Sequence, residues 1–409
     1  MKYGLIGEKL GHSFSAEVHK RIADYKYELK EIPKSELEEF IFSKDFCGIN
    51  VTIPYKQIVI PFLDVVDDSA KRIGAVNCIV NRENKLYGFN TDFTGLLSLF
   101  KKYCESLKGK KVLILGNGGA CRAAYVVAET LNAKEIFIVS RTPKNETISY
   151  NDAVTKHSDS HIIINTTPVG MYPNINESPI SLENFTSLEL VVDAIYNPLR
   201  TKLVIDAQNK GITSVGGLYM LVSQAVYAAG HFLNQEFPSE LTDEIHNDIL
   251  KSKLNIVLTG MPGSGKTTIG KYLSNLTGKE FIDTDELIVK KTGKEINTIF
   301  NEVGESGFRK IESQIISEVS IKNGCVISTG GGAVLFEDNI KNLKHNGKIF
   351  FLDREVSKLT PTSDRPLANT KESIIKRYNE RIDIYNSTCD KKVRVITPEI
   401  TGDEILRNL

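Results

Sequence analysis

Short apolar runs alternate with longer amphipathic stretches through the middle of the chain. Apolar runs that lead into loops occur at 111–119 (KVLILGNGG), 135–142 (EIFIVSRT), 161–168 (HIIINTTP) and 190–196 (LVVDAIY), and helical stretches fall between them. Strands that alternate with helices in this way are typical of a parallel, doubly wound sheet. The pattern therefore predicts an α/β segment of Rossmann-like type over residues 106–216.

Similar patterns flank this segment on both sides. Residues 1–105 contain the short predicted strands YGLIG, GINVTIP and AVNCIVN, and the apolar helix GGLYMLVSQAVYAAGHFL is expected to return to them. We therefore predict one αβ domain from 1–105 with 217–240. A polar stretch at 241–253 is the candidate linker. A further domain with a parallel sheet is predicted over 254–409, with strands in LNIVLTG, CVIST and KIFFLD.

The composition narrows the classes of function. The length of 409 residues suits two or three domains, and lysine plus arginine equal aspartate plus glutamate at 51 each. A net charge of zero argues against a general nucleic-acid or anionic-membrane surface. The segment MKYGLIGEKL lacks the apolar core of a signal peptide, no apolar run is long enough to span a bilayer, and the six cysteines lie at no metal-ligand spacing. We expect a cytoplasmic protein whose partners are small molecules. The sequence leaves open whether the chain forms a homo-oligomer.

One glycine-rich loop predicts a nucleoside triphosphate site. GMPGSGKT (260–267) fits the pattern GxxxxGK[ST] between a strand and a helix. In such a loop Lys266 reaches the β- and γ-phosphates and the hydroxyl of Thr267 ligates Mg²⁺. The residues expected to cradle the phosphates of ATP are Gly260, Gly263, Ser264, Gly265, Lys266, Thr267 and Thr268.

A second glycine cluster lies earlier, in LGNGGACRAA (115–124). Gly116, Gly118, Gly119 and Ala120 stand between a strand and a helix, where glycine allows the backbone to approach a pyrophosphate at the helix N-terminus. A plain tight turn is the alternative interpretation.

The next predicted strand ends about twenty residues later in Ser140, Arg141 and Thr142. An acidic residue at this place favours NAD, whereas an arginine suits the 2′-phosphate of NADP(H). Arg141 therefore favours NADP(H), with a solvated surface arginine as the alternative.

Several motifs in the first part occur together in one order. They are GHSFS, NVTIPYK, GAVNCI, GFNTD, NTTPVGM, YNPLRT and GGLYMLVSQA. In these motifs and their order, residues 1 to about 235 resemble the shikimate dehydrogenase family. The resemblance implies a catalytic pair, Lys56 and Asp92, and a cofactor contact at Gly217 and Met220. It implies a substrate site at Ser13, Ser15, Thr52, Asn77, Asn90, Tyr196 and Gln224.

The chemistry of these residues agrees with that resemblance. Hydride reduction of a ketone develops negative charge on its oxygen, so a proton donor must lie beside it. Lys56 next to Asp92 would supply an ammonium held by a carboxylate, and a plain surface ion pair is the alternative. A polyhydroxylated ring acid needs many short polar groups, although each of these serines and asparagines could also be a helix cap or turn residue.

Spacing, residue type and place in the chain make further residues of the last domain candidates. In FIDTDEL, Asp283 and Asp285 share one face of an extended segment, so one can serve Mg²⁺ and the other an acceptor hydroxyl. In GESGFRKIE, Arg309 and Glu312 are three apart on a helix, so the acid can orient the guanidinium. The remaining candidate stretches are STGGGAV (Gly330 to Gly332), SDRPLA (Arg365) and RIDIY (Arg381).

Together with the phosphate loop, these stretches resemble the shikimate kinase family over residues 254 to about 400. The resemblance implies that Asp283 assists Mg²⁺ and that Arg365 closes over the phosphates from a lid. It also implies that shikimate is held by Asp285, Arg309, Gly331 and Arg381, with Asp285 near the reacting hydroxyl. The stretch SKLTPTSDRP lacks the arginine that this family often has shortly before the lid.

The two nucleotide sites therefore predict two successive reactions, an NADPH-dependent reduction to shikimate and an ATP-dependent phosphorylation of it. Two alternatives remain open from the sequence. One is a quinate-preferring dehydrogenase fused to another small-molecule kinase. The other is a dehydrogenase followed by a nucleotide-binding regulatory domain without catalysis.

Overall fold

The structure is a computed structural model that describes residues 1–10, 14–144, 146–359 and 370–409. The chain forms two compact units. The first comprises Met1–Met171, Glu177–Asn197 and Leu203–Ile249, and the second comprises Tyr172–Asn176, Pro198–Lys202 and Leu250–Leu409.

The first unit begins with a mixed sheet. Its strands are β1 (Tyr3–Gly7), β2 (Tyr27–Glu31), β3 (Gly48–Val51), β4 (Val65–Val66), β5 (Cys78–Arg82) and β6 (Lys85–Phe89). Their order is β2-β1-β3-β5-β6-β4, with β1 parallel to β2 and β3 and with β5 antiparallel to β3 and β6. Ile6, Ile49 and Ile79 are fully buried in its core. The strands expected in YGLIG, GINVTIP and AVNCIVN are confirmed.

A fully parallel sheet follows in the same unit. Its strands are β7 (Lys111–Leu115), β8 (Glu135–Val139), β9 (Thr147–Ile148), β10 (Ile162–Asn165), β11 (Leu190–Asp193) and β12 (Thr213–Val215), in the order β12-β11-β10-β7-β8-β9. Every residue of β7, β10 and β11 is buried, as continuous apolar strands covered on both faces require. The predicted parallel, doubly wound sheet is therefore confirmed.

Helices lie between and after these strands. Up to residue 253 they are α1 (Ser15–Ile22), α2 (Leu37–Ser43), α3 (Asp68–Ile73), α4 (Thr91–Tyr103), α5 (Gly119–Thr130), α6 (Tyr150–Lys156), α7 (Lys202–Asn209), α8 (Leu218–Leu233) and α9 (Ser239–Lys253). Helix α8 packs against α4, α1 and strand β3, so the predicted return of this helix to the first αβ region is confirmed.

The stretch expected to act as a linker, 241–253, lies within helix α9. Thr242, Ile245 and Ile249 are buried along one face of this helix, because positions three and seven residues apart lie on the same side. The apolar residues are few and widely spaced, which explains why the stretch looks polar in sequence. Whether 241–253 marks a domain boundary stays a prediction.

The second unit contains a third sheet, which is parallel. Its strands are β13 (Asn255–Thr259), β14 (Glu280–Asp283), β15 (Cys325–Ser328), β16 (Gly347–Asp353) and β17 (Lys391–Arg394), in the order β14-β15-β13-β16-β17. Its helices are α10 (Lys266–Thr277), α11 (Thr284–Thr292), α12 (Ile296–Ser320), α13 (Glu337–Asn346), α14 (Lys371–Thr388) and α15 (Pro398–Arg407).

Alternate residues of the third sheet enter two different cores. Val257 of β13 packs with residues of α12 such as Ile316, whereas its neighbour Ile256 packs with Leu273 of α10 and Ile405 of α15. Helices therefore cover both faces, and the expected strands in LNIVLTG, CVIST and KIFFLD are confirmed. Within the described ranges, no helix is both long and apolar enough to cross a membrane.

Candidate active sites

A polar cavity of about 170 Å³ opens in the first unit at the edge of the mixed sheet. Seven of the residues predicted from sequence to bind or transform the substrate line it. They are Ser15, Thr52, Lys56, Asn77, Asp92, Tyr196 and Gln224. Residues separated by up to 209 positions in the chain thus meet in one place.

The mixed sheet explains why these residues meet. Strands β1 and β3 are parallel, so their carboxyl ends lie at the same edge, and Thr52 directly follows β3. Ser15 is the first residue of α1, and Asp92 lies buried in the first turn of α4. Gln224 projects from α8, the helix that packs against α4. The first turns of α1 and α4, the end of β3 and helix α8 therefore each contribute to the cavity wall.

Lys56 and Asp92 form the closest charged pair in this cavity wall. The Lys56 Nζ atom lies 2.5 Å from Asp92 Oδ2, and the two side chains are 25% and 11% exposed. An ammonium this close to a mostly buried carboxylate is held in one position and still reaches the cavity. The pair can donate a proton to an oxygen bound beside it.

A network of amide side chains forms another part of the cavity wall. Asn77 Nδ2 donates to Gln224 Oε1 at 3.3 Å, and Asn77 Oδ1 accepts from the backbone N–H of Thr91 at 2.6 Å. Because the oxygen of Asn77 accepts from a backbone N–H, the orientation of its amide is settled.

Asn90 occupies a different place from the other predicted substrate residues. Its Oδ1 accepts from the N–H of Phe93 at 3.1 Å and its Nδ2 donates to the carbonyl of Ala75 at 2.9 Å, so it caps α4. It is not among the residues that line the cavity. Ser13 lies outside the residues that the structure describes.

The structure adds three residues that the sequence analysis missed: His19, Tyr27 and Asn50 line the same cavity. The Tyr27 hydroxyl donates to Asn50 Oδ1 at 2.9 Å, and Asn50 Nδ2 donates to the carbonyl of Asn77 at 3.2 Å. Asn50 lies two residues before Thr52, so strand periodicity places it on the same face, and this signal could have identified it.

His19 supports the floor of the cavity as a neutral ring. It stacks on Tyr27 at 3.8 Å between ring centroids, and its Nδ1 lies 2.5 Å from the hydroxyl of Tyr25. Burial lowers the pKa of His19 to about 3, so the imidazole stays uncharged at neutral pH. His19 lies four residues after Ser15, one turn along the same helix, which is the sequence signal that could have pointed to it.

The glycine cluster after β7 leaves room for a ligand. Gly116 has a φ of +104°, which favours glycine, and a Cβ there would lie 2.9 Å from Thr166 Oγ1. Around Gly118 and Gly119, no described atom lies within 4 Å of the place a Cβ would take. Helix α5 begins at Gly119 and continues through Ala120, so its free N–H groups face this space. These features fit the pyrophosphate of a dinucleotide.

The other residues predicted to contact the dinucleotide lie in two places. Ser140, Arg141 and Thr142 directly follow β8, the neighbour of β7, and Arg141 is exposed. Gly217 caps α8, where a Cβ would lie 2.2 Å from the carbonyl oxygen of Ala194.

Met220 is the third residue of α8 and is buried in the apolar core between the sheet and α4. The structure therefore gives Gly217 and Met220 packing contacts, whereas Ser140 to Thr142 lie at the carboxyl end of β8.

The phosphate loop of the second unit has the predicted geometry. Gly260, Gly263 and Gly265 have φ values of +147°, +77° and +98°, so each needs glycine. Helix α10 begins at Lys266, and Lys266 Nζ donates to the carbonyl oxygens of Gly260 at 2.9 Å and Met261 at 3.0 Å. The remaining loop residues follow the same path: Ser264 is buried in the loop, and Thr267 and Thr268 lie in the first turn of α10.

Oxygen ligands suited to Mg²⁺ lie beside this loop. Thr267 Oγ1 donates to Asp283 Oδ2 at 2.9 Å, and Asp283 Oδ1 accepts from the N–H of Asp285 at 3.0 Å. A hydroxyl and a carboxylate in contact are ligands that Mg²⁺ accepts, usually together with water and phosphate oxygens. The donor set therefore fits the metal expected from the sequence.

The loop of three glycines contacts the charged residues of the second unit. A Cβ at Gly330 would lie 2.4 Å from Glu312 Oε1 and 2.8 Å from Asp285 Oδ1, and one at Gly332 would lie 2.2 Å from Arg309 Nη2. Only glycine allows the backbone to lie so close to these side chains.

Arg309 is held by a buried carboxylate. Its Nη1 donates to Glu312 Oε2 at 2.6 Å, and its Nη2 donates to Glu305 Oε1 at 3.3 Å. Glu312 is fully buried, and burial raises its pKa while the guanidinium of Arg309 opposes that rise. The predicted pairing of Arg309 with Glu312 is confirmed.

Arg381 approaches the same loop from α14. Its Nη1 donates to the carbonyl oxygen of Gly331 at 3.0 Å, and the hydroxyl of Tyr385 donates to that oxygen at 2.5 Å. Two arginines from different helices therefore contact one glycine loop, and together they can bind a carboxylate through paired N–H groups. Arg365 lies outside the described residues.

Comparison with protein-family models identifies both parts of the chain. The shikimate dehydrogenase substrate-binding domain matches residues 5–79, and the shikimate kinase family matches residues 262–406.

Relatives and solved structures cover the first part of the chain. A shikimate dehydrogenase (NADP(+)) of Clostridium beijerinckii is 35% identical over 260 residues, which cover 60% of this chain and 96% of that protein. A chorismate mutase/shikimate 5-dehydrogenase fusion from Clostridium acetobutylicum is 37% identical, with a TM-score of 0.58, covering 60% of this chain and 96% of that one. The Thermus thermophilus shikimate 5-dehydrogenase, solved with NADP(H) and shikimate, is 28% identical, with a TM-score of 0.55. The match covers 61% of this chain and 99% of that one.

Proposed function

Because the chain belongs to the shikimate dehydrogenase family and also carries a shikimate kinase domain, we propose that it catalyses two successive reactions on one carbon skeleton. It is an NADP-dependent oxidoreductase and an ATP-dependent phosphotransferase of the shikimate pathway. In the first reaction 3-dehydroshikimate is reduced to shikimate, and in the second the 3-hydroxyl of shikimate is phosphorylated.

The contact between Lys56 and Asp92 is the observation that carries the proposed reduction. NADPH, when bound, supplies the hydride to the ketone carbon. Lys56 then donates a proton from Nζ to the carbonyl oxygen, and Asp92, 2.5 Å away, keeps the ammonium beside that oxygen. In the reverse direction the same pair accepts the proton of the hydroxyl.

The rest of the cavity wall orients the substrate ring. Ser15, Thr52, Asn77 and Gln224 present hydroxyls and amides that suit a polyhydroxylated carboxylate. Tyr196 adds a hydroxyl and an aromatic face to the same wall. By resemblance to the family, Ser13 completes the set, whereas Asn90 supports it by capping the helix that carries Asp92.

The dinucleotide is proposed to lie over the glycine cluster at the start of α5. The open space at Gly118 and Gly119 supports this position for its pyrophosphate. Ser140, Arg141 and Thr142 directly follow the neighbouring strand β8, and this position supports a role for Arg141 in binding the 2′-phosphate.

Phosphorylation is proposed to take place beside the glycine loop of the second unit. Arg309, Arg381 and Gly331 hold the carboxylate of shikimate, and Asp285 orients its hydroxyl and takes the proton. MgATP, when bound, supplies the phosphoryl group, with Lys266 on the phosphates and Thr267 and Asp283 at the metal. Arg365, on the basis of the family resemblance, neutralises charge on the transferred group.

One product analysis tests both reactions and their order. The purified full chain is incubated with 3-dehydroshikimate, NADPH, Mg²⁺ and ATP, and the products are identified by mass spectrometry. We expect shikimate 3-phosphate, and its formation should depend on both nucleotides. Shikimate without phosphate would refute the kinase assignment, and no conversion by folded protein would refute the substrate class.

A further inference from the structure

Arg354 lies beside the phosphate loop, although none of the motifs above contains it. Strand β16 ends at Asp353 and is parallel to β13, the strand that leads into the loop. Arg354 therefore emerges at the same edge of the sheet as Gly260. Its Nη1 donates to the carbonyl oxygen of Gly263 at 3.4 Å and lies 3.9 Å from the place a Cβ would take at Gly265.

The acidic residues on either side of Arg354 are already paired with other cations. Asp353 Oδ2 lies 3.0 Å from Lys392 Nζ, and Glu355 Oε2 lies 3.1 Å from Lys358 Nζ. In the part of the chain that the structure describes, no carboxylate lies within 4 Å of the Arg354 guanidinium. A half-buried guanidinium thus stands at the loop with one long hydrogen bond and most of its donors directed to no described partner.

The loop already concentrates groups that bind phosphate. The carbonyls of Gly260 and Met261 hold the ammonium of Lys266 at the start of the loop. The amides of the first turn of α10 face the space that the loop encloses. A second cation at Gly263 and Gly265 stands where a polyphosphate bound by these amides would leave negative oxygens exposed. A guanidinium is suited to this place because its planar donors match two phosphate oxygens at once.

We propose that Arg354 is a nucleotide-binding residue that contacts the phosphate oxygens of the ATP or ADP held in this loop. The inference rests on the proposed phosphotransferase function and adds a residue to it. Arg354 acts together with Lys266, so the polyphosphate is held by one cation at the start of the loop and one at its apex.

The test measures binding without catalysis, using full-length wild type, Arg354→Ala, Arg354→Lys and the control Arg407→Ala. Arg407 lies in the last turn of α15, and its replacement by alanine removes the same charge as Arg354→Ala. Dissociation constants for MgADP and for inorganic pyrophosphate with Mg²⁺ are measured by calorimetry. We expect Arg354→Ala to weaken both about tenfold, Arg354→Lys to recover part of the loss, and Arg407→Ala to match wild type.

Thermal unfolding separates phosphate contact from support of the loop. Without ligand, Arg354→Ala should unfold at the same temperature as wild type. Only the rise in unfolding temperature that MgADP causes should be smaller in the variant. A lower transition without ligand would overturn the proposal, because it would mean that Arg354 acts by holding Gly263. Weaker ADP binding with unchanged pyrophosphate binding would also overturn it, since the contact would then be to the base or ribose. Equal binding of both ligands by Arg354→Ala and wild type would refute it outright.

These outcomes are distinguishable from failure of the proposed function. Binding is measured without shikimate, so it does not depend on which hydroxyl is phosphorylated. If wild type bound MgADP and pyrophosphate but formed no shikimate phosphate, the substrate assignment would fail while the role of Arg354 stood.

Discussion

Replacing Gly332 with alanine should weaken shikimate binding in the phosphorylation reaction alone. Gly332 has φ −106° and ψ −3°, a backbone conformation that alanine also adopts, so no backbone strain is introduced. The added Cβ would lie 2.2 Å from Nη2 and 2.3 Å from Cζ and Nη1 of Arg309. The substitution therefore acts on one side chain, the guanidinium.

The size of the effect follows from how far Arg309 must move. Real Cβ atoms essentially never lie within 3.0 Å of another heavy atom, so the guanidinium has to shift by at least about 0.8 Å. Its hydrogen bond to the buried Glu312 is 2.6 Å long, and a shift of that size removes most of it. Hydrogen bonds to charged groups contribute roughly 1.5–3 kcal/mol. Since about 1.4 kcal/mol is tenfold, the KM for shikimate should rise about 10- to 100-fold.

Steady-state kinetics of both reactions on one preparation test this prediction. Phosphorylation is measured while shikimate and ATP are varied separately, and the KM for ATP should change less than twofold. Oxidation of shikimate with NADP⁺ by the same protein is the internal control, and its KM for shikimate should equal that of wild type. If the KM for shikimate in phosphorylation stayed within twofold of wild type, the contact between Arg309 and this loop would not position the substrate.

Three further substitutions separate the two reactions and test the cavity wall. Lys56→Ala should reduce kcat for reduction at least a thousandfold while phosphorylation of added shikimate is unchanged; reduction near the wild-type rate would show that Lys56 is not the proton donor. Lys266→Ala should abolish phosphorylation and leave reduction intact, and a large loss of both activities would mean that the reactions are not independent. Asn50→Ala removes a hydrogen bond to Tyr27 and one to Asn77, so the dehydrogenase KM for shikimate should rise about tenfold with an unchanged KM for NADP⁺. An unchanged KM for shikimate would place Asn50 outside the substrate site.

The sheets and most of the site could be predicted because their signals are local. Apolar runs ending in glycine located β7 and β13, and the residues after each run lie at a helix N-terminus, as the spacing of the loops requires. The prediction that Asp283 and Asp285 share one face of an extended segment is wrong, because β14 ends at Asp283 and Asp285 lies in the first turn of α11. The two residues are still in contact, since Asp283 caps this helix and its Oδ1 accepts from the backbone N–H of Asp285. Where the residues of a site are neighbours in the chain, the sequence alone predicts that they lie together.

The remaining residues depend on contacts that no local pattern contains. Asn90 and Asn77 look alike in sequence, yet Asn90 caps α4, whereas Asn77 lines the cavity and donates to Gln224, which is 147 residues away in the chain. Arg354 lies beside Gly263 only because β16 and β13 are neighbours, and 91 residues separate the two positions.

Two of the three glycine-rich loops in this chain have opposite physical roles. At Gly118 and Gly119 no described atom lies within 4 Å of a Cβ position, so the missing side chains leave space that a ligand can occupy. At Gly330 and Gly332 the same positions lie 2.4 and 2.2 Å from Glu312 and Arg309, so the space is already filled by the protein's own charged groups. The loop at Gly118 and Gly119 therefore leaves space for the ligand itself. The loop at Gly330 and Gly332 instead allows charged side chains to pack against its backbone. A glycine motif in sequence predicts a close approach, but only the surrounding side chains decide whether a ligand or the protein itself makes that approach.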